Sequence, residues 1–105
     1  MKPIQECALR LLQSTLALVD AAKAGELSSI DSIQQQRQHL IAELDLLSHQ
    51  PDDEETLLQI RRIIEQSREL ENQASSLLQQ QRDEANRTLS KLKVSKKARK
   101  AYGEF

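Results

Sequence analysis

Apolar residues recur every three or four positions along most of the chain, which is the spacing of amphipathic α-helices. The first such stretch predicts a helix over residues 3–24. Pro3 suits its first turn, and Gly25 suits a left-handed cap at its end. Its apolar stripe follows Leu9, Leu12, Leu16 and Val19, with Ile4, Ala8, Leu11 and Ala22 alongside. We expect this side of the helix to be buried.

A second helix is predicted over residues 28–49, before Pro51. Ser28 or Ser29 can accept hydrogen bonds from its first turn. Its seam has coiled-coil spacing and consists of Ile30, Ile33, Arg37, Leu40, Leu44 and Leu47. Because Arg37 is charged, we expect it to extend to the surface or to pair with an acid. A connection of only a few residues predicts an antiparallel hairpin of the first two helices.

A third and much longer helix is predicted over residues 53–93, with Asp52 or Asp53 as its N-cap. Glu54 and Glu55 place negative charge at the positive end of the helix dipole. Its apolar seam consists of Leu57, Ile60, Ile64, Ala74, Leu77 or Leu78, Ala85, Leu89 and Leu92, and it is interrupted by Ser67 and Glu71.

A short basic helix is expected after Ser95, within residues 95–105, and it should end at Gly103. The predicted fold class is therefore all-α. It consists of an antiparallel helical hairpin or bundle over residues 1–94, with one long third helix and a short C-terminal helix.

The predicted helix lengths differ in a way that bears on function. Two helices of about 21 residues each span roughly 30 Å, whereas a third helix of about 40 residues spans roughly 60 Å. The hairpin can cover only about half of the third helix. We therefore expect the rest of its apolar stripe to be a binding surface.

Composition favours helices over a sheet, because aromatic and β-branched residues are sparse and no stretch alternates with period two. Charge is divided unevenly. Residues 1–90 carry 9 Lys/Arg against 15 Asp/Glu, whereas residues 91–105 carry 6 against 1. The basic tail includes Lys96, Lys97, Arg99 and Lys100. It can oppose the negative end of the helix dipole or contact phosphates, and the acidic body and lack of interleaved aromatic residues favour the first interpretation.

No residues are spaced for catalysis or metal binding. Cys7, His39 and His49 have no ligand spacing, and there is no Gly-rich phosphate loop. We therefore expect no enzyme activity, no metal, no cofactor and no small-molecule substrate. Neither a signal peptide nor a membrane-spanning segment is predicted, so the expected location is cytoplasmic.

Tyr102 is the only tyrosine and lies in a terminal segment with few other apolar groups. It either packs onto the body as a latch or serves a partner as an aromatic anchor.

The last third of the chain resembles a known family. A long amphipathic helix carrying Leu77-Leu78-Gln79 and Asp83-Glu84 precedes a short basic segment that ends Ala101-Tyr102-Gly103. With the short turn at Gly25-Glu26-Leu27, this layout resembles the FliT family of flagellar type III export chaperones over nearly the whole chain. The resemblance implies a cytosolic chaperone that binds the C-terminal segment of the filament-cap protein, FliD. It implies that the chaperone prevents premature assembly and delivers its cargo to the export apparatus.

The resemblance also implies a terminal helix that covers the binding surface and moves away, with Tyr102 as latch and contact residue. By position, Ile60, Ile64, Ala74 and Leu78 belong to the binding groove, and Leu77 and Leu89 on the same stripe complete the predicted set. Two other functions are left open by the residues. The first is that of a structural coiled-coil subunit that forms a homodimer through its overhanging helix. The second is that of a nucleic-acid-associated regulator that uses the basic tail.

Overall fold

A computed structural model describes the backbone of residues 1–101 and the side chains of residues 1–92. It contains helix α1 (Pro3–Ala24), helix α2 (Leu27–Ser48) and helix α3 (Glu54–Ala101). All regular structure in this part of the chain is helical, so the all-α prediction is confirmed. The chain divides into two compact units, of which the first is Met1–Ser75 and the second begins at Ser76.

Helix α1 has the predicted bounds and ends at a left-handed glycine. Gly25 has φ 71°, and its N–H donates to the carbonyl of Ala22 at 3.3 Å. The N–H of Glu26 donates to the carbonyl of Ala21 at 3.0 Å. This pair of bonds satisfies two carbonyls that the helix itself leaves unpaired, and glycine adopts the required conformation without steric cost.

Helix α2 begins one residue earlier than predicted and without a serine cap. Ser28 and Ser29 both lie inside the helix, and Glu26, which precedes it, makes no side-chain capping bond. The predicted serine cap is wrong, because the chain returns to helical geometry only one residue after Gly25. The predicted seam is confirmed: Arg37, Leu40 and Leu44 are buried, and Ile30, Ile33 and Leu47 are half-buried.

Helix α3 begins with the predicted aspartate cap. The Asp53 carboxylate accepts the Thr56 N–H at 3.4 Å and the Thr56 hydroxyl at 2.6 Å. Glu54 and Glu55 occupy the first turn, as expected from the helix dipole. The cap fixes where α3 leaves the connection from α2.

The helix then continues without interruption to Ala101. The separate short helix predicted after Ser95 is therefore not confirmed. No glycine or proline occurs between Pro51 and Gly103, and Ser95 is followed by good helix formers, so no residue there breaks the helix. The predicted domain boundary near residue 94 stays a prediction.

One apolar cluster joins the three helices within the first unit. It consists of Ile4, Cys7, Ala8, Leu11, Leu40, Leu44 and Ile60, with Leu47, Ile63 and Ile64 packed against it. The stripe predicted for α1 is confirmed in part: Val19 and all four flanking residues are buried, whereas Leu16 is 45% exposed and Leu18, which the stripe omitted, is fully buried. The buried side of α1 includes the small residues Ala8, Thr15 and Ala22, which let a neighbouring helix approach closely; of these, only the polar Thr15 is not marked by hydrophobicity.

Candidate protein-binding site

A groove follows α3 beside α2 within residues 1–75. It consists of two depressions of about 370 and about 440 Å³ that share Ile64 and Arg68; the first lies between α2 and α3, and the second is lined by α3 alone. Its apolar surface comes from Leu11, Ile41, Leu44, Leu57, Ile60 and Ile64. We call it the α2/α3 groove. The stretch of α3 that lines it, from Leu57 to Glu71, spans roughly 21 Å, which is the length of about four helical turns.

The α2/α3 groove is apolar at its centre and polar at its edges. Ile41 and Leu57 are each 46% exposed, and Ile64 is half-buried. Asp45 and Arg61 are exposed charged residues beside them. Exposed apolar side chains with a polar rim are typical of a surface that binds an amphipathic helix through anchors at helical spacing.

Arg37 lies at one end of this groove and is only 4% exposed. Its Nε donates to Thr15 Oγ1 at 3.0 Å, and its Nη1 donates to Gln34 Oε1 at 2.8 Å. Its Nη2 forms an ion pair with Glu71 Oε2 at 3.1 Å. We call Thr15, Gln34, Arg37 and Glu71 the polar layer. Of the two alternatives expected for Arg37, extension to the surface or pairing with an acid, the structure shows the pairing.

The polar layer explains why the seam of α3 is interrupted. Glu71 interrupts the seam because it pairs with the arginine of α2. Ser67 is buried and donates its hydroxyl to the Ile63 carbonyl at 2.9 Å, so its polar group is satisfied within α3. Both breaks in the apolar pattern are therefore matched by partners.

A second groove lies between α1 and α3. Its apolar surface comes from Leu9, Leu12, Leu16, Ile63 and Leu70, in two depressions of about 370 and about 350 Å³. Gln59, Gln66 and Gln73 lie along it at seven-residue intervals, and Gln5 Nε2 donates to Gln59 Oε1 at 2.9 Å. This α1/α3 groove has mostly uncharged amides where the α2/α3 groove has a buried ion pair.

Lys2 fastens the start of α1 to the start of α3. Its Nζ lies 2.5 Å from Asp52 Oδ1, 2.6 Å from Asp53 Oδ1 and 3.2 Å from Thr56 Oγ1. The hydrogen bonds to Asp52 and Asp53 raise the pKa of Lys2 above its usual value. The Lys2 ammonium and the Thr56 hydroxyl hold the pKa of Asp53 far below its usual range. This cluster joins α1 to α3, and none of its four residues lines either groove.

Cys7, the one cysteine of the sequence, is unsuited to act as a nucleophile. Cys7 is buried, and its Sγ donates to the Leu40 carbonyl at 3.3 Å. Burial raises the pKa of the Cys7 thiol, which keeps it in the unreactive protonated form. The described side chains include no group of three or more His, Cys, Asp or Glu residues that could hold a metal ion.

Two apolar grooves on a small helical bundle indicate a protein that binds other proteins, and sequence comparison identifies the class. Residues 5–104 match the family described as flagellar protein FliT. The chain belongs to the FliT family. Membership confirms the resemblance noted above and makes the chain a flagellar export chaperone. Comparison with curated proteins and with solved structures gives no significant match.

The family is one of chaperones rather than enzymes. Among the described residues, no helix is both long enough and apolar enough to cross a membrane.

Of the residues predicted to bind the partner of this FliT protein, two line the α2/α3 groove. Ile64 is half-buried there, whereas Ile60 is 6% exposed and also belongs to the core. Ala74 is fully buried and therefore inaccessible to a partner. In the second unit, Leu77 and Leu78 are half-buried and Leu89 is 56% exposed. Tyr102 and the side chains of the basic tail (Lys96, Lys97, Arg99 and Lys100) lie outside the described residues.

The sequence-based prediction missed the α2 side of the groove. Ile41 directly follows the seam residue Leu40, and an apolar residue beside a seam widens the apolar stripe of a helix. That neighbour was the available signal. Arg68, which also lines the groove, carries no such signal because exposed arginines are common on helices.

Proposed function

We propose that this chain is a cytoplasmic export chaperone that binds the C-terminal segment of the filament-cap protein, FliD, in the α2/α3 groove. Binding keeps the cap subunit from assembling prematurely and delivers it to the export apparatus. Residues 94–105 act as a latch that competes for the groove, with Tyr102 as the contact residue.

The observation that carries this proposal is the exposed apolar centre of the groove. Ile41 and Leu57 are each 46% exposed beside half-buried Ile64, on a bundle whose core lies directly beneath. Ile64 is seven residues from Leu57, which is the spacing of anchors along one helix face. A cargo helix would cover this apolar surface, and the FliT family supplies the class of cargo.

The latch requires helix α3, which is continuous to Ala101, to open before residue 94, so that the segment after the opening is a tethered competitor. A terminal segment joined to the same chain competes at a high effective concentration, set by the length of its linker. Apparent affinity for each partner is then reduced until the latch is displaced. Because each partner must first displace the latch, a chaperone of this kind can bind its partners one after another.

The groove is tested by titrating a cap-protein C-terminal peptide into the full chain by calorimetry. Ile41→Asp should weaken binding at least about 10-fold, because it places a charge among the apolar anchors. Leu16→Asp is the matched control, since Leu16 is 45% exposed in the α1/α3 groove. Weakening by the control but not by Ile41→Asp would assign the cargo to the other groove. Absence of binding by the unaltered chain would contradict the proposed cargo.

The latch is tested by removing residues 94–105. The shortened chain should stay folded and bind the same peptide more tightly, because the intramolecular competitor is gone. Tyr102→Ala in the full chain should tighten binding in the same direction. Unchanged or weaker binding of both variants would show that the latch is wrong.

A second candidate function is favoured by the exposed leucines of the second unit. Leu89 and Leu92 are each 56% exposed, as expected if another copy of the chain covers them in a coiled-coil dimer. Sedimentation at low micromolar concentration decides this. A dimer that Leu89→Gln with Leu92→Gln abolishes would support the structural function, and a monomer would exclude it.

A further inference from the structure

The polar layer places an unequal ion pair at one end of the α2/α3 groove. Both Arg37 and Glu71 line the groove. The Arg37 side chain is only 5% exposed, whereas the Glu71 side chain is 46% exposed. The arginine is therefore held inside the bundle, and its acidic partner stands at the surface where a bound segment would lie.

This inequality makes Glu71 the replaceable partner. If the pair opens, water can solvate the Glu71 carboxylate at the rim, but Arg37 keeps a buried positive charge. A buried charge without its partner is strongly unfavourable. A segment that fills the groove must therefore leave Glu71 in place or bring an acceptor of its own.

The guanidinium has donors to spare for such an acceptor. It carries five N–H groups, and each of its three nitrogens makes one of the contacts to Thr15, Gln34 and Glu71. One further N–H therefore remains on each of Nη1 and Nη2. A carboxylate that takes the place of Glu71 can accept the freed N–H of Nη2 with one oxygen and a spare N–H with the other.

We propose that Arg37 is a specificity residue of the groove and that it selects an amphipathic helix carrying an Asp or Glu beside its apolar anchors. The incoming carboxylate replaces Glu71 on the guanidinium. The anchors occupy the apolar surface formed by Ile41, Leu44 and Ile64. This inference rests on the proposed function, because it assumes that the α2/α3 groove holds the cargo.

The charges that line the α2/α3 groove favour an acid-bearing helix over a purely apolar one. A purely apolar helix that displaced Glu71 would leave Arg37 buried without an anion. Arg61 and Arg68 also line the groove, and their side chains make no ion pair within the described part of the chain. The α1/α3 groove has no buried ion pair in its lining, so it has no buried charged residue that could select an acidic partner.

The test uses peptides of the cap-protein C-terminus in which each Asp or Glu is changed, one at a time, to its amide. Affinities are measured by calorimetry for the unaltered full chain, Glu71→Gln and Arg68→Gln, with thermal melts to confirm folding. One amide peptide should bind the unaltered chain about 10-fold more weakly, as expected for loss of a charged hydrogen-bond acceptor. Glu71→Gln should bind the unmodified peptide several-fold more tightly, because the competing carboxylate is gone.

Arg68→Gln is the matched control, because it removes an exposed arginine from the same groove. It should keep the full difference between acidic and amide peptides, whereas Arg37→Gln, if folded, should lose it. Equal binding of all peptides by the unaltered chain, or weaker binding of the unmodified peptide by Glu71→Gln, would overturn the specificity role of Arg37 while leaving the proposed cargo intact. Failure of every peptide to bind would overturn both.

Discussion

The two stretches of α3, residues 54–75 and residues 76–92, share one helical pattern but differ in burial. In the first stretch Thr56, Ile60, Ser67 and Ala74 are buried. In the second stretch no residue is buried, and Leu89 and Leu92 are 56% exposed. Apolar periodicity therefore predicts that the helix forms, but it does not predict which of its turns are covered.

Polar side chains show the same difference. Thr15 of the first unit and Thr88 of the second each donate a hydroxyl to the carbonyl four residues earlier, at 2.7 and 3.0 Å. Only Thr15 also accepts a hydrogen bond from a buried arginine. The same local bond thus belongs to a core in one place and to the surface in the other.

The largest expected effect comes from truncating one apolar residue in each stretch. Ile60→Ala should lower the free energy of unfolding by about 2–5 kcal/mol, because it leaves a cavity in the core. Leu89→Ala should change it by no more than about 0.5 kcal/mol, as is usual at exposed sites. Urea denaturation of the two variants measures both. Equal losses would show that the second stretch is as well packed as the first.

A smaller effect is expected from the two threonines. Thr15→Val should cost about 1–3 kcal/mol, because it leaves the buried Nε–H of Arg37 without an acceptor. Thr88→Val, which loses only the local bond, should be within about 0.5 kcal/mol of the unaltered chain. Thermal and urea unfolding measure the difference. An unchanged free energy of unfolding for Thr15→Val would show that the polar layer does not stabilise the fold.

The smallest effect concerns pH. The pKa of Asp53 is lowered in the folded chain, so its stabilising contribution is present above its usual value of 3.8 and is lost as pH falls below it. Asp53→Asn keeps an N-cap residue but loses this charge. Its destabilisation should therefore be clear at pH 7 and should shrink below about pH 4.

The control for this pH effect is Asp83→Asn, which alters an exposed aspartate of the second stretch. Unfolding by urea at pH 7, 5 and 3 compares the two variants. A gap between Asp53→Asn and the unaltered chain that stays constant over this range would contradict the charge interaction with Lys2.

Much of the fold could be predicted from local signals in the sequence. Gly25 and Pro3 delimit α1, Asp53 caps α3, and pairing with an acid was one of the two outcomes expected for the charged position in the α2 seam. The stripe of α1 was predicted only in part, because the polar Thr15 is buried where a neighbouring helix approaches closely, and hydrophobicity does not mark it. Such close approaches depend on the neighbouring helix, and a single-helix pattern does not contain that information.

The candidate site was less predictable than the fold. Ile64 was identified from its place on the α3 stripe, but the groove also needs Ile41, which α2 contributes. Ala74 had the same stripe signal as Ile64 and is nevertheless buried. Whether a seam residue faces the core or a groove depends on how three helices are arranged, which no spacing along one helix specifies.

The central claim, that the α2/α3 groove receives the cap-protein segment, is tested most directly by isoleucine methyl NMR. The chain has seven isoleucines, and Ile41 and Ile64 lie in this groove whereas Ile63 lies in the α1/α3 groove. Adding the cap-protein C-terminal peptide should shift the Ile41 and Ile64 methyl signals most and leave Ile63 nearly unchanged. Shifts concentrated at Ile63, or none at Ile41 and Ile64, would contradict the account.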